Sequence, residues 1–269
     1  RKYDPAKTVA LSAGFVVLQH FGENRIFYGN IDYNHLHKRN VYSSSDRDAY
    51  AEHPFRVTDL TTGRINRYGP RLQMTYNCAF LKKHLLWAGT ISYQVESGLK
   101  KALIKPENVY RNIGFGVAFA FIIHPRVSLG VTLDYADSQE KNDYVPPESF
   151  LSSSHEPKLF VSEQISVPLG ENMGIIKNGR QFHGCVQSIF KLISGAIGIN
   201  FKYFSDNLNV QKEYEYSRQG AGTWDQQEYV IELISRQRIG QSPFWGGFLI
   251  KHRYADNFTR HWKYPINLV

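Results

Sequence analysis

The sequence predicts an all-β protein, a transmembrane antiparallel up-and-down β-barrel of roughly 10–14 strands with short periplasmic turns and long external loops. Three observations predict it. Apolar and polar residues alternate with period two over segment after segment, the polar face is small and nearly uncharged, and connections alternate between short and long. Composition agrees without proving the point. Aromatic residues make up 14% of 269 residues, with 17 Tyr and 17 Phe, and mean hydropathy is only −0.40. A barrel shows lipid every second residue, so its average hydropathy resembles that of a soluble protein. The longest apolar runs, such as 117–123, fall far short of the ~20 residues that a membrane helix needs.

The elements follow in order. Val9, Leu11, Ala13, Phe15 and Val17 share one face of a first strand, and Phe27, Gly29, Ile31 and Tyr33 share one face of a second, past the turn Gly22-Glu23-Asn24. Leu72, Met74, Tyr76, Cys78 and Phe80 oppose Arg71, Gln73, Thr75, Asn77 and Ala79. After Lys82-Lys83-His84, Leu85, Trp87, Gly89, Ile91, Tyr93 and Val95 oppose Leu86, Ala88, Thr90, Ser92, Gln94 and Glu96. These two segments form a hairpin. Ile113 to Phe121 and Val127 to Tyr135, around His124-Pro125-Arg126, form the next. Phe182, Val186 and Phe190 precede Ile197, Ile199, Phe201 and Tyr203, and Tyr229, Ile231 and Leu233 precede Phe244, Gly246, Phe248 and Ile250. Strands of about ten residues cross a bilayer at the usual tilt.

One domain, 1–269, is expected, with external loops at 38–68, 97–110 and 137–158. The stretch from Phe160 to Gly179, broken by Pro168, Gly170 and Gly174, reads as a loop folded into or over the barrel. Val210, Lys212, Tyr214 and Tyr216 interleave with charges, as in strands continuing beyond a membrane. Trp262 to Val269 contains one Pro and no clean terminal strand. If the short turns are periplasmic, the first strand runs downward, and a further N-terminal part is expected.

A soluble β-sandwich, acting as a binding protein, is the competing architecture. The long strands argue against it, as do the weakly charged polar face and the aromatics at the ends of the apolar face. Those aromatics are Tyr33, Phe80, Trp87, Tyr93, Phe121, Tyr135 and Tyr203, expected at the membrane interface. Arg71, Gln73, Gln94, Glu96, Asp134, Lys202 and Arg236 are the candidates for lining a lumen, where charges either tune selectivity or close the interior by ion pairing.

Tyr3-Asp4-Pro5-Ala6, Phe27-Tyr28-Gly29, His53-Pro54-Phe55 and Lys105-Pro106-Glu107-Asn108 carry a resemblance to an uncharacterised family of outer-membrane β-barrel proteins of Bacteroidota. It covers about the first half of the chain and implies a location and an architecture, with no activity to carry over.

Candidate chemistry is thin. His35-Leu36-His37 puts two imidazoles on one strand face without a clear third ligand. Ser152-Ser153-Ser154-His155 has hydrolase residue types in a Pro-flanked loop, a poor setting for triad geometry. Gly114-Phe115-Gly116 has no helix after it and reads as small lumen-facing residues that admit a neighbouring side chain. Cys78 and Cys185 face opposite ways and are not expected to bridge. No enzyme, metal or cofactor is expected. The net charge of +8 is scattered over loops rather than gathered in a stripe, so nucleic acid is not the expected partner. The expected partners are the bilayer, lipopolysaccharide and outer-membrane proteins. In function, the reading is a pore or uptake channel for small solutes, with a non-conducting structural or docking subunit as the alternative.

Overall fold

Alternation of this kind leaves each strand with two distinct faces, and the chain pairs neighbouring segments so that the faces match. The computed structural model describes residues 7–42, 46–47, 53–58, 61–101, 105–145, 158–160, 166–168, 174–214, 217–239, 242–261 and 264–268. Ten long strands dominate: β1 (Lys7–His20), β2 (Arg25–Tyr42), β4 (Thr62–Phe80), β5 (Leu85–Lys101), β6 (Lys105–His124), β7 (Val127–Val145), β10 (Gly174–Leu192), β11 (Gly195–Tyr214), β12 (Ser217–Ile239) and β13 (Ser242–His261). Each pairs antiparallel with the next long strand in chain order. A short strand, β14 (Tyr264–Leu268), closes the order on β13. Three further short strands, β3 (Arg56–Thr58), β8 (Lys158–Phe160) and β9 (Ser166–Pro168), form a separate small sheet in the order β3-β8-β9. The all-β, up-and-down expectation therefore holds for the described residues. Among them β1 pairs only with β2, and residues 242–256 of β13 pair only with β12, so the outer edges of both are unpaired among the described residues.

The strands are longer than the expected ten or so residues, from 14 in β1 to 23 in β12. This corrects the expected loops. Residues 38–42 and 62–68 lie in β2 and β4, 97–101 and 105–110 in β5 and β6, and 137–145 in β7. The polar residues that suggested loops instead continue the strands on both faces. Only the connections after β2 and after β7 are long, whereas β5–β6 and β11–β12 join as tightly as the opposite turns. Tyr264–Leu268 is also strand where no clean strand was expected.

Register fixes the faces. On β6, Ile113, Phe115, Val117, Phe119 and Phe121 point one way, each between 38% and 48% exposed. They pair with Tyr93, Ile91, Gly89, Trp87 and Leu85 on β5, and all but Ile113 pair with Tyr135, Leu133, Val131 and Leu129 on β7. The same outward face on β10 and β11 carries Phe182, Val186, Phe190, Ile199 and Phe201. Beyond Tyr135 the outward positions of β7 become Asp137, Gln139, Lys141 and Asp143, so the apolar surface stops partway up the strands.

Irregularities have local causes. Pairing of β4 with β5 skips from Tyr68–Ser97 to Arg71–Gln94, where Pro70 lacks an N–H and Gly69 lies so close to the Val95 carbonyl that a Cβ would collide. A bulge shifts the β11–β12 register between Val210 and Gln211, opposite Ala221, which is fully buried.

Candidate functional site

The buried core of the described chain sits on the inward face at one end, the end of the two long connections. Phe55, Val57 and Leu159, from those connections, have no exposed surface. β3 and β8 place Val57 directly against Leu159. The three side chains pack on Tyr144 of β7, Ile175 of β10, Val210 of β11 and Ala221 of β12, with Leu208, Tyr214 and Trp224 around them. Each such burial contributes about 1.5–3 kcal/mol. We term this buried segment the plug.

A polar frame holds the plug to the strands. Lys177 of β10 donates from Nζ to Asp46 Oδ1 at 2.8 Å and to the Phe55 carbonyl at 3.1 Å, and the Val57 amide donates to Asp46 Oδ2 at 2.8 Å. Both charged groups are nearly sealed, with 4% and 1% of their side chains exposed. Arg67 of β4 donates to the carbonyls of Asp46 and Arg47. Arg47 in turn donates to Glu96 of β5 at 2.6 Å, stacks 4.0 Å above the Tyr110 ring of β6, and gives its amide to Glu140 of β7 at 2.7 Å. Asn108 bonds Glu140 and Asn142, and Lys100 donates to the Thr61 carbonyl.

Asp46 and Arg47 are thus held by side chains from five consecutive strands of the sheet, β4, β5, β6, β7 and β10.

Electrostatics follow from burial. Desolvation opposes the charge on Lys177, but Asp46 and Glu140 outweigh it and hold its ammonium above the usual lysine range. His53 goes the other way. Burial first, then Lys177 and Arg56, lower its imidazole to about 3, so it is neutral at physiological pH.

Arg71, Gln73, Gln94, Glu96, Asp134, Lys202 and Arg236 all fall on the inward face that carries the plug. Arg71 pairs in register with Asp32 and Gln94, and Lys202 bonds Glu232 at 2.7 Å, with Asn200 on the same carboxylate. Glu96 alone of this set is brought to the plug. Gly114 and Gly116 leave the room that the Ser92 and Asp134 side chains occupy. Tyr33, Phe80, Trp87, Tyr93, Phe121, Tyr135 and Tyr203 all lie on the outward face. Tyr203 packs with Phe182 and Tyr229, their ring centroids 6.2 and 5.0 Å away.

His35 meets the Tyr68 ring edge-on, and His37 bonds Asn66. Ser152 to His155 lies outside the described residues, and both cysteines are free. Of the stretch 160–179, expected as a loop folded into or over the barrel, Phe160 ends β8 and Ser166–Pro168 forms β9, both in the small sheet next to Leu159. Its last part, 174–179, is instead the first turn-free stretch of β10. Asp46, Arg67 and Lys177 were not singled out in the sequence. The legible signal was Phe55-Arg56-Val57, a short alternating run within an otherwise polar connection.

A family of unknown function, DUF6850, matches residues 3–257 of the chain. No curated protein matches it, and neither does any solved structure.

Proposed function

This chain belongs to the DUF6850 family, and we propose that it is a β-barrel of the bacterial outer membrane whose loop side is closed by its own plug. In this reading it is a structural or docking subunit of an outer-membrane assembly rather than an open pore. The outward apolar face supports the membrane location. On β7 it covers residues 127–135, which at about 3.4 Å per residue and a tilt near 40° span roughly 23 Å, close to the ~25 Å lipid-facing band of such barrels. Exposed apolar side chains in a continuous band are unfavourable in water and are satisfied by lipid. In lipid an unpaired strand edge is costly, so the antiparallel edges of β1 and β13 are sealed there, and the sheet closes.

The observation that carries the closed-mouth reading is the plug itself, with Phe55, Val57 and Leu159 at zero exposure and an ion pair beneath them. Such packing is that of a core, not of a loosely hanging loop. It sits above the apolar band, at the level of Asn142 and Tyr144, at the end of the strands where lipopolysaccharide and partner proteins are expected to bind.

In planar bilayers the purified chain is expected to give no steady conductance, and in gentle detergent it is expected to co-purify with stoichiometric partners. Regular open-channel steps from the wild-type chain would overturn the closed reading in favour of a solute pore. The inward polar residues Arg71, Gln73, Gln94 and Asp134, below the plug, favour that second reading, in which the plug moves aside for uptake.

A further inference from the structure

The end opposite the plug is built differently. There a cavity of about 420 Å³ opens on the inward face between β2, β4, β5 and β6. Its wall is largely apolar, with Ile26, Ala79, Leu86, Ala88, Ala118 and Ala120 and one amide, Asn77; Cys78, Trp87 and Phe119 also line it, and its rim carries Glu23, Asn24 and Lys83 from the adjoining turns. Register explains the shape. Ala88 lies between Asn77 and Ala118, and Leu86 between Ala79 and Ala120, so two consecutive inward rows are nearly all methyl groups.

One row nearer the plug, the inward positions are Thr75, Thr90, Gly116 and Asp134. The cavity is thus an apolar chamber beneath a polar layer. Narrow barrels ordinarily fill their interiors with side chains, and here the residues that could fill this volume are alanines. Leu86 keeps 40% of its surface exposed in consequence. The size and apolar lining match those of small-molecule sites, roughly 300–1,000 Å³ with a few polar groups at fixed places.

Among these lining residues Lys83 supplies the cation. It ends the Leu81–Lys83 turn with φ of 71°, a left-handed conformation that a lysine adopts at a cost. A turn selected only for tightness takes Gly or Asn there.

We infer that this cavity binds a single-chain amphiphile, its acyl chain against the alanine wall and an acidic head group, carboxylate or phosphate, at Lys83. Glu23 on the same rim accommodates a head that also bears an ammonium group. Free fatty acids and lysophospholipids share this chemistry. The inference goes beyond the docking-subunit reading and does not need a conducting lumen.

The test uses the full chain reconstituted in phospholipid vesicles, with two probes in parallel: a C14 fatty acid and a C14 lysophosphatidylethanolamine, each with a diazirine at the chain end. After irradiation, adducts are mapped residue by residue with mass spectrometry. Adducts at Leu86, Ala88, Ala118 or Ala120 are expected from at least one probe, and the probe that gives them identifies the head group. Ala88→Trp with Ala118→Leu is expected to reduce those adducts at least tenfold, leaving adducts on the outward Phe115 and Val117 unchanged as the control for folding. Lys83→Glu, which leaves the wall intact, is expected to reduce inward labelling several-fold. Absence of inward adducts with both probes, or inward adducts that persist in the filled variant, would overturn the inference. Loss of the outward adducts in the wild type would instead count against the membrane reading.

Discussion

At the residue scale the plug rests on a few groups whose burial makes their chemistry decisive. Lys177 and Asp46 are nearly sealed, so removing one leaves the other charged without its partner. Lys177→Met is expected to weaken the seating of the plug by about 3–5 kcal/mol, read as faster hydrogen exchange at the amides of residues 53–58. The double variant Asp46→Leu/Lys177→Met should cost less than Lys177→Met alone, because it buries no orphan charge. Equal costs would show that the pair contributes only packing. His53 adds a pH dependence with a definite sign. Its folded value, about 3, lies below the ordinary 6.5, so its contribution is complete above pH 6.5 and is lost as pH falls from there toward 3. Exchange at residues 53–58 is expected to accelerate across that window, and His53→Phe to flatten the slope, beside the Phe55 ring 6.4 Å away. An unchanged slope in that variant would assign the pH dependence to other groups. Of these three residues only His53 falls in a motif legible in the sequence, His53-Pro54-Phe55, and that motif assigns it no role. Lys177 and Asp46 are 131 positions apart, and nothing in either local pattern announces the other.

At the element scale the sequence was far more informative, because each strand's face is a local property. The residues expected to share a face do share one in the register, Phe80 with Tyr93 and Gln73 with Asp134. What local pattern could not give was length. Positions such as Asp137, Gln139, Lys141 and Asp143 are polar on the outward face, while Asn142 and Tyr144 turn inward to meet the plug, and polarity on both faces reads as loop. The boundary at Tyr135 yields a paired prediction. Val131→Arg, in the middle of the apolar stretch, is expected to destabilise the vesicle-refolded protein by about 2–4 kcal/mol. Gln139→Arg, above it, should lie within about 0.5 kcal/mol of wild type. Denaturant titration of refolded protein measures both, and similar costs at the two sites would remove the membrane boundary. Gly69→Ala tests a different link, since its Cβ would meet the Val95 carbonyl. It is expected to shift the β4–β5 register near Pro70, visible as loss of exchange protection at Tyr68 and Ser97.

At the scale of the whole molecule, the plug can be removed without disturbing the frame. Tyr42 and Thr62 are register partners at the ends of β2 and β4, so an Asn-Gly turn can join them directly. Replacing residues 43–61 in this way should leave strand content unchanged and produce conductance where the complete chain shows none. A variant that stays silent would locate the block elsewhere in the interior. The sequence by itself determined the all-β, up-and-down antiparallel class, the order of the hairpins and the alternation of faces along the long strands, because period-two alternation and turn chemistry act between neighbours in the chain. Only the tertiary structure decided that segments from two distant connections meet on one face of the sheet, and that one end of that face is covered while the other holds a cavity walled largely by alanines. Those features depend on contacts across many strands, and the hydrophobic and electrostatic gain of such contacts appears only once the sheet has brought their partners together.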